Sequence, residues 1–173
     1  MRIAAFSAVL LLFIGCEQPK RDVQKPASQP FSEVIRNRMD LVGKPSRLFT
    51  NGIVLYSRAK GDAGVLVLTG ESMLAGHAEL SDDEVISMRV RPETSKKFSI
   101  GSVVSVEGYV VKDPKSGLCH IKASTITLVG QRDVGDPDFS RIADSVAKKA
   151  DDGWDVIDII LIYVALDYFL GDD

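Results

Sequence analysis

Between residues 47 and 129 the chain alternates apolar and polar positions in short runs, broken by glycine, proline and acidic turn residues. A period of two sends successive side chains to opposite faces, so each run reads as a strand with one buried face. Five strands are predicted, over 48–57 (LFTNGIVLYS), 63–69 (AGVLVLT), 84–91 (EVISMRVR), 102–112 (SVVSVEGYVVK) and 118–128 (LCHIKASTITL). A glycine-bearing loop with a short turn of its own, GESMLAGHAELSDD, follows the second strand, and PETSKKFSIG links the third to the fourth. DPKSG is a hairpin turn whose Pro114 and Gly117 supply the backbone angles. On either side the period becomes helical. FSEVIRNRMDLVG brings Phe31, Val34, Ile35, Met39 and Leu41 or Val42 near one face, with Ser32 as N-cap and Gly43 as stop. PDFSRIADSVAKKADDG does the same with Phe139, Ile142, Val146 and Ala150, ending at Gly153.

Five short strands in this order suit a small barrel. In the fourth, Val104, Val106 and Val110 face inward while Ser105, Glu107 and Tyr109 face out, and Gly108 permits the close backbone approach that tight coiling needs. Gly52 in the first strand, Met88 and Val90 in the third, and Gly101, Val104, Val106, Gly108 and Val110 in the fourth carry a likeness over residues 31–129. The chain resembles the small exported proteins grouped as tRNA-anticodon-like (OB-fold) lipoproteins. The resemblance implies a mainly β protein with flanking helices: a five-stranded OB-type barrel, an N-terminal helix and a C-terminal helical appendage. No catalytic motif transfers with it.

The N-terminus supplies an address. Arg2 precedes the apolar run IAAFSAVLLLFI, too short for the roughly 20 residues that span a bilayer, so it reads as a targeting segment. Phe13, Ile14, Gly15 and Cys16 then resemble the lipobox of bacterial lipoproteins, with phenylalanine where leucine is usual. That resemblance implies cleavage before Cys16, a diacylglyceryl thioether on its sulfur and acylation of its new amino group. Several acyl chains anchor stably, at about 0.8 kcal/mol per buried methylene. Residues 1–15 are then signal peptide and 16–30 a proline-bearing polar tether. The expected location is the bacterial envelope, facing the periplasm; Glu17, where inner-membrane retention in enteric bacteria is associated with aspartate, inclines it to the outer membrane. Only Cys119 remains, which excludes an intramolecular disulfide and leaves the covalent lipid in place of any cofactor.

The folded domain is expected over 31–132 and the acidic appendage over 133–173, where 11 Asp face 3 Lys/Arg. Its last stretch, Val156 to Leu170, is interrupted by Asp158 and Asp167. At about 2.5–3.5 kcal/mol for each central aspartate, insertion into a bilayer is disfavoured. A helix apolar nearly all round wants burial instead. Trp154, Ile157, Ile160, Leu161, Val164 and Tyr168 would cap an end of the barrel, bind a partner or self-associate.

Chemistry is sparse. Glycine, serine and histidine spacings match no nucleophile elbow, P-loop or dinucleotide fingerprint, and Asp151, Asp152 and Asp155 lack the spacing of a calcium loop. Cys119 and His120 are strand neighbours whose side chains diverge. The reading is therefore non-catalytic. OB barrels bind single strands or glycans across an open face, and the candidates here are Tyr56, Arg58, Arg89, Arg91, Tyr109 and Lys112. Residues 44–132 hold 12 Lys/Arg against 9 Asp/Glu, a weak basic balance that, with an extracytoplasmic address, argues against nucleic acid. The sequence predicts a lipid-anchored binding or adaptor module whose partner is an envelope protein or a glycan. The alternatives are an exported oligosaccharide- or nucleic-acid-binding domain, and a phage-derived lipoprotein that blocks an envelope receptor.

Overall fold

A computed structural model describes residues 27–114 and 116–151. Its centre is a closed barrel of five strands: β2 (Arg47–Lys60), β3 (Ala63–Gly70), β4 (Ile86–Val90), β5 (Ser102–Lys112) and β6 (Cys119–Gln131). They run in the order β2-β3-β4-β6-β5, and β5 pairs back onto β2. All the barrel pairings are antiparallel except β4 with β6, which is parallel. A meander of three strands, then a pair whose last member returns beside the third, is the connectivity of an OB-fold. The predicted strands match these bounds within three residues. β1 (Ser28–Pro30) is an addition, a short parallel partner of β2 formed by the last residues of the expected tether.

Every strand sends one row of side chains into the barrel: Phe49 and Val54, Leu66 and Leu68, Ile86 and Met88, Val104, Val106 and Val110, and Ile121. One end is plugged by α1 (Phe31–Arg36), whose Phe31, Val34 and Ile35 are fully buried in that core. Phe31 meets Phe49 edge to face, with ring centroids 6.1 Å apart. The helix fits because Gly52 and Gly70 are cross-strand partners. A β-carbon on Gly70 would lie 2.5 Å from the Ser32 nitrogen, and one on Gly52 2.6 Å from the Phe31 ring. The single predicted N-terminal helix is in fact two. Asn37 leaves helical angles and α2 (Arg38–Leu41) begins again, which turns Met39 out to 55% exposure rather than onto the apolar face. The cap is also different: Pro30, not Ser32, precedes the first turn.

A second apolar layer lies outside the barrel. α5 (Pro137–Asp151) buries Phe139, Ile142, Val146 and Ala150 against Ile53, Leu55 and Tyr56 of β2 and Val65 and Val67 of β3. Arg132 stacks over the Phe139 ring at 5.4 Å and pairs with Glu71 of α3 (Glu71–Leu74), fixing the start of α5. Lys149 donates to the Leu80 carbonyl at 3.0 Å and ties down its end. Part of the predicted appendage is thus packed on the barrel. The proposed capping or partner residues Trp154, Ile157, Ile160, Leu161, Val164 and Tyr168, like Cys16, lie outside the described residues.

Candidate functional site

Cross-strand register assembles part of the predicted face. On the outer surface Arg58 opposes Val65, Val65 opposes Arg89, Arg89 opposes Lys122 and Lys122 opposes Tyr109, so one row crosses five strands. Three cations and a tyrosine occupy it. Lys122 is absent from the sequence prediction, although alternation from Ile121 in LCHIKAS already places it outward. Tyr56 departs from that prediction: a bulge after Val54 shifts the register, and the ring is buried beneath α5. Lys112 is exposed at the end of β5, an odd number of positions from Tyr109, and so does not join the row.

Beyond this row the barrel wall opens. β4 pairs with β6 only over Ser87–Arg89 and His120–Lys122, while β6 continues for nine more residues. The gap is a cleft of about 540 Å³, floored by Val90, Phe98 and Ile126. Arg89, Arg91 and Lys97 supply charge, and the Thr94, Ser124 and Thr125 hydroxyls supply further polar contacts. Among the described residues no carboxylate lines it. Of the predicted face residues, Arg89 and Arg91 both line this cleft.

Local sequence explains the far wall. Pro92 opens α4 (Pro92–Ser95) at the position where its missing amide costs nothing. Ser95 donates to the Pro92 carbonyl at 2.9 Å, and Ser57 of β2 donates to the Ser95 carbonyl at 2.6 Å. Gly64 lets the helix lie this close: a β-carbon there would be 2.8 Å from Ser95 Oγ and 2.9 Å from the Arg91 carbonyl oxygen.

The titratable groups nearby are tuned by burial. His120 lies in the outer face opposite Ser87 and Val111, and its Nδ1 is buried with no hydrogen-bond partner among the described residues. Burial holds its pKa below the usual imidazole value; Asp113 opposes that shift, while Arg89 and Lys122 reinforce it. Cys119 turns the other way, against the inner core, with its sulfur 3.4 Å from that of Met39. Burial raises its thiol pKa, against the pull of Arg38 and Lys112. The fold also brings Glu84 to 3.5 Å from His77, a pairing that their sequence spacing does not suggest. Among the described residues no cluster of three or more His, Cys, Asp or Glu is placed to hold a metal ion. What the arrangement offers is a polar cleft whose charged lining residues, among those described, are cations.

No protein-family model and no curated protein matches this chain. Solved structures similar to it include asparaginyl-tRNA synthetase from Pyrococcus horikoshii complexed with asparaginyl-adenylate, at 17% identity and a TM-score of 0.39, over 55% of this chain. The match spans only 21% of that synthetase chain. The OBody AM1L10 bound to hen egg-white lysozyme matches at 13% identity and a TM-score of 0.45, over 62% of this chain and 96% of its own. At such identities and scores, the assignment of an OB-type barrel rests on strand order and register.

Proposed function

We propose that this protein is a non-catalytic binding module, held in the bacterial envelope by a lipid on Cys16, that takes an acidic partner in the cleft between β4 and β6. The observation that carries the binding half is the lining itself: among the described residues, its charged members are Arg89, Arg91 and Lys97, gathered around one concavity. Three like charges in one cleft focus an attractive field for an anion. The address half is supported by Phe13-Ile14-Gly15-Cys16 at the end of the apolar run. Facing the periplasm, the module meets envelope proteins and glycans before it meets nucleic acid.

The two halves are tested separately. Mass spectrometry of the N-terminal peptide is expected to show an acylated Cys16, and Cys16→Ser should release the chain from membranes; an unmodified cysteine overturns the anchor. Fluorescence anisotropy with poly-glutamate tests the cleft. The Arg89→Glu/Arg91→Glu double variant is expected to bind at least about tenfold more weakly, some 1.4 kcal/mol. Unchanged affinity overturns the site.

A further inference from the structure

An OB barrel usually binds its ligand across the outer surface of its second and third strands. Here the barrel's second strand is β3, and its outer residues Val65 and Val67 are buried in the layer that α5 completes. The open part of the wall is elsewhere, where β4 stops and β6 runs on. From Ala123 to Gln131 β6 is paired with β5 on one side and, among the described residues, with no strand on the other. The sequence of that edge is ASTITLVGQ, with no charge and no proline. Exposed edges are ordinarily blunted by lysine, proline or brevity; this one has only its bulges.

The inner row of β6 shows what is missing. Ile121, covered by β4, is fully buried; Ile126, past the end of β4, is half-buried; Leu128 is 55% exposed although its partner Val104 is wholly buried. The side chains point toward the core, and among the described residues no neighbouring strand covers them. We infer that an extended peptide adds as a further strand to the β6 edge, its alternate residues apolar toward Phe98, Ile126 and Leu128 and acidic toward Arg89, Arg91 and Lys97. Main-chain hydrogen bonds supply affinity in this mode and alternate side-chain pockets supply specificity. The charge of the cleft selects a carboxylate-bearing strand over a basic one, and the apolar floor selects a peptide over a sugar. This inference rests on the cleft reading above and names its partner class.

The test is selection of a random decapeptide library on the full-length chain in detergent micelles. Enrichment of alternating apolar and Asp/Glu residues is expected, with proline absent from the central positions. The best peptide is then resynthesised with backbone N-methyl groups on odd or on even positions. One set should lose at least about tenfold in affinity and the other little, because only every second amide of an added strand faces β6. Binding should also protect amides within 123–131 from exchange and fall in Arg91→Glu and Lys97→Glu. Equal tolerance of both methylated sets, with acid dependence retained, overturns strand addition and leaves the acidic cleft standing. A library without acidic enrichment, or without binders, overturns both. A photo-crosslinker at Thr127 that captures a second copy, or the chain's own residues 152–173, overturns the inferred partner.

Discussion

At Gly70 the packing leaves no room for a single added carbon. The close neighbour is the backbone of Ser32, which cannot rotate aside as a side chain would. Gly70→Ala is therefore expected to lift α1 from the barrel end and cost about 1–3 kcal/mol, read as a lower urea midpoint. His120 makes a different kind of claim. Its pKa is depressed in the fold mainly by burial, so as pH falls the unfolded chain takes the proton first. Stability from this group is intact above the unfolded imidazole value of about 6.5 and is lost as pH drops through the lower folded value. His120→Gln should flatten that part of the stability profile, measured by urea melts at stepped pH; an unchanged slope would place the effect on another group. At Cys119 the raised pKa leaves little thiolate at neutral pH. Alkylation in the folded state should be slow beside that of the urea-unfolded chain, and equal rates would contradict its packing against Met39.

Among the elements, α5 explains both what the sequence disclosed and what it hid. Short apolar runs between turn residues identify all five barrel strands, and β5 alternates between its inner and outer face along nearly its whole length. β3 does not alternate: AGVLVLTG is buried at every position. Such a continuous run signals cover on both faces, and with GIVLY in β2 it marks where a helix must lie. The acidic charge of residues 133–173 points instead to an appendage, and without the helix that covers it Tyr56 reads as part of an open binding face. The break at Asn37 is less legible, since the apolar spacing runs on through it to Met39. The cleft is not legible at all, because it arises from the unequal lengths of two strands paired across about thirty intervening residues. If α5 is an integral layer, Phe139→Ala should cost about 3–5 kcal/mol, with faster amide exchange in β2 and β3. A melt unchanged by that substitution would mean the helix is dispensable to the barrel.

For the whole molecule, strand order separates the charges. The chain carries a net −3, which alone would repel an acidic partner. In the barrel β2 is two strands from β4 by way of β3 and two from β6 by way of β5, so the side that bears α5 is opposite the β4–β6 seam. Residues 133–151 hold five Asp against three Lys/Arg, whereas among the described residues every charged side chain lining the cleft is a cation. A barrel is wider than the Debye length of about 8 Å at physiological ionic strength, so an incoming anion at the cleft senses Arg89, Arg91 and Lys97 and little of the acidic side. Charges at a site's rim act mainly on the encounter rate. Stopped-flow association with the selected acidic peptide should therefore slow several-fold as salt rises from about 0.05 to 0.5 M, with dissociation much less affected. Asp144→Asn, on the exposed side of α5, should change the association rate by less than about twofold, while Arg91→Glu should slow it by roughly tenfold. If the two substitutions shifted the rate equally, net charge rather than the local cleft would govern encounter, and the separation of charge across the barrel would have no part in recognition.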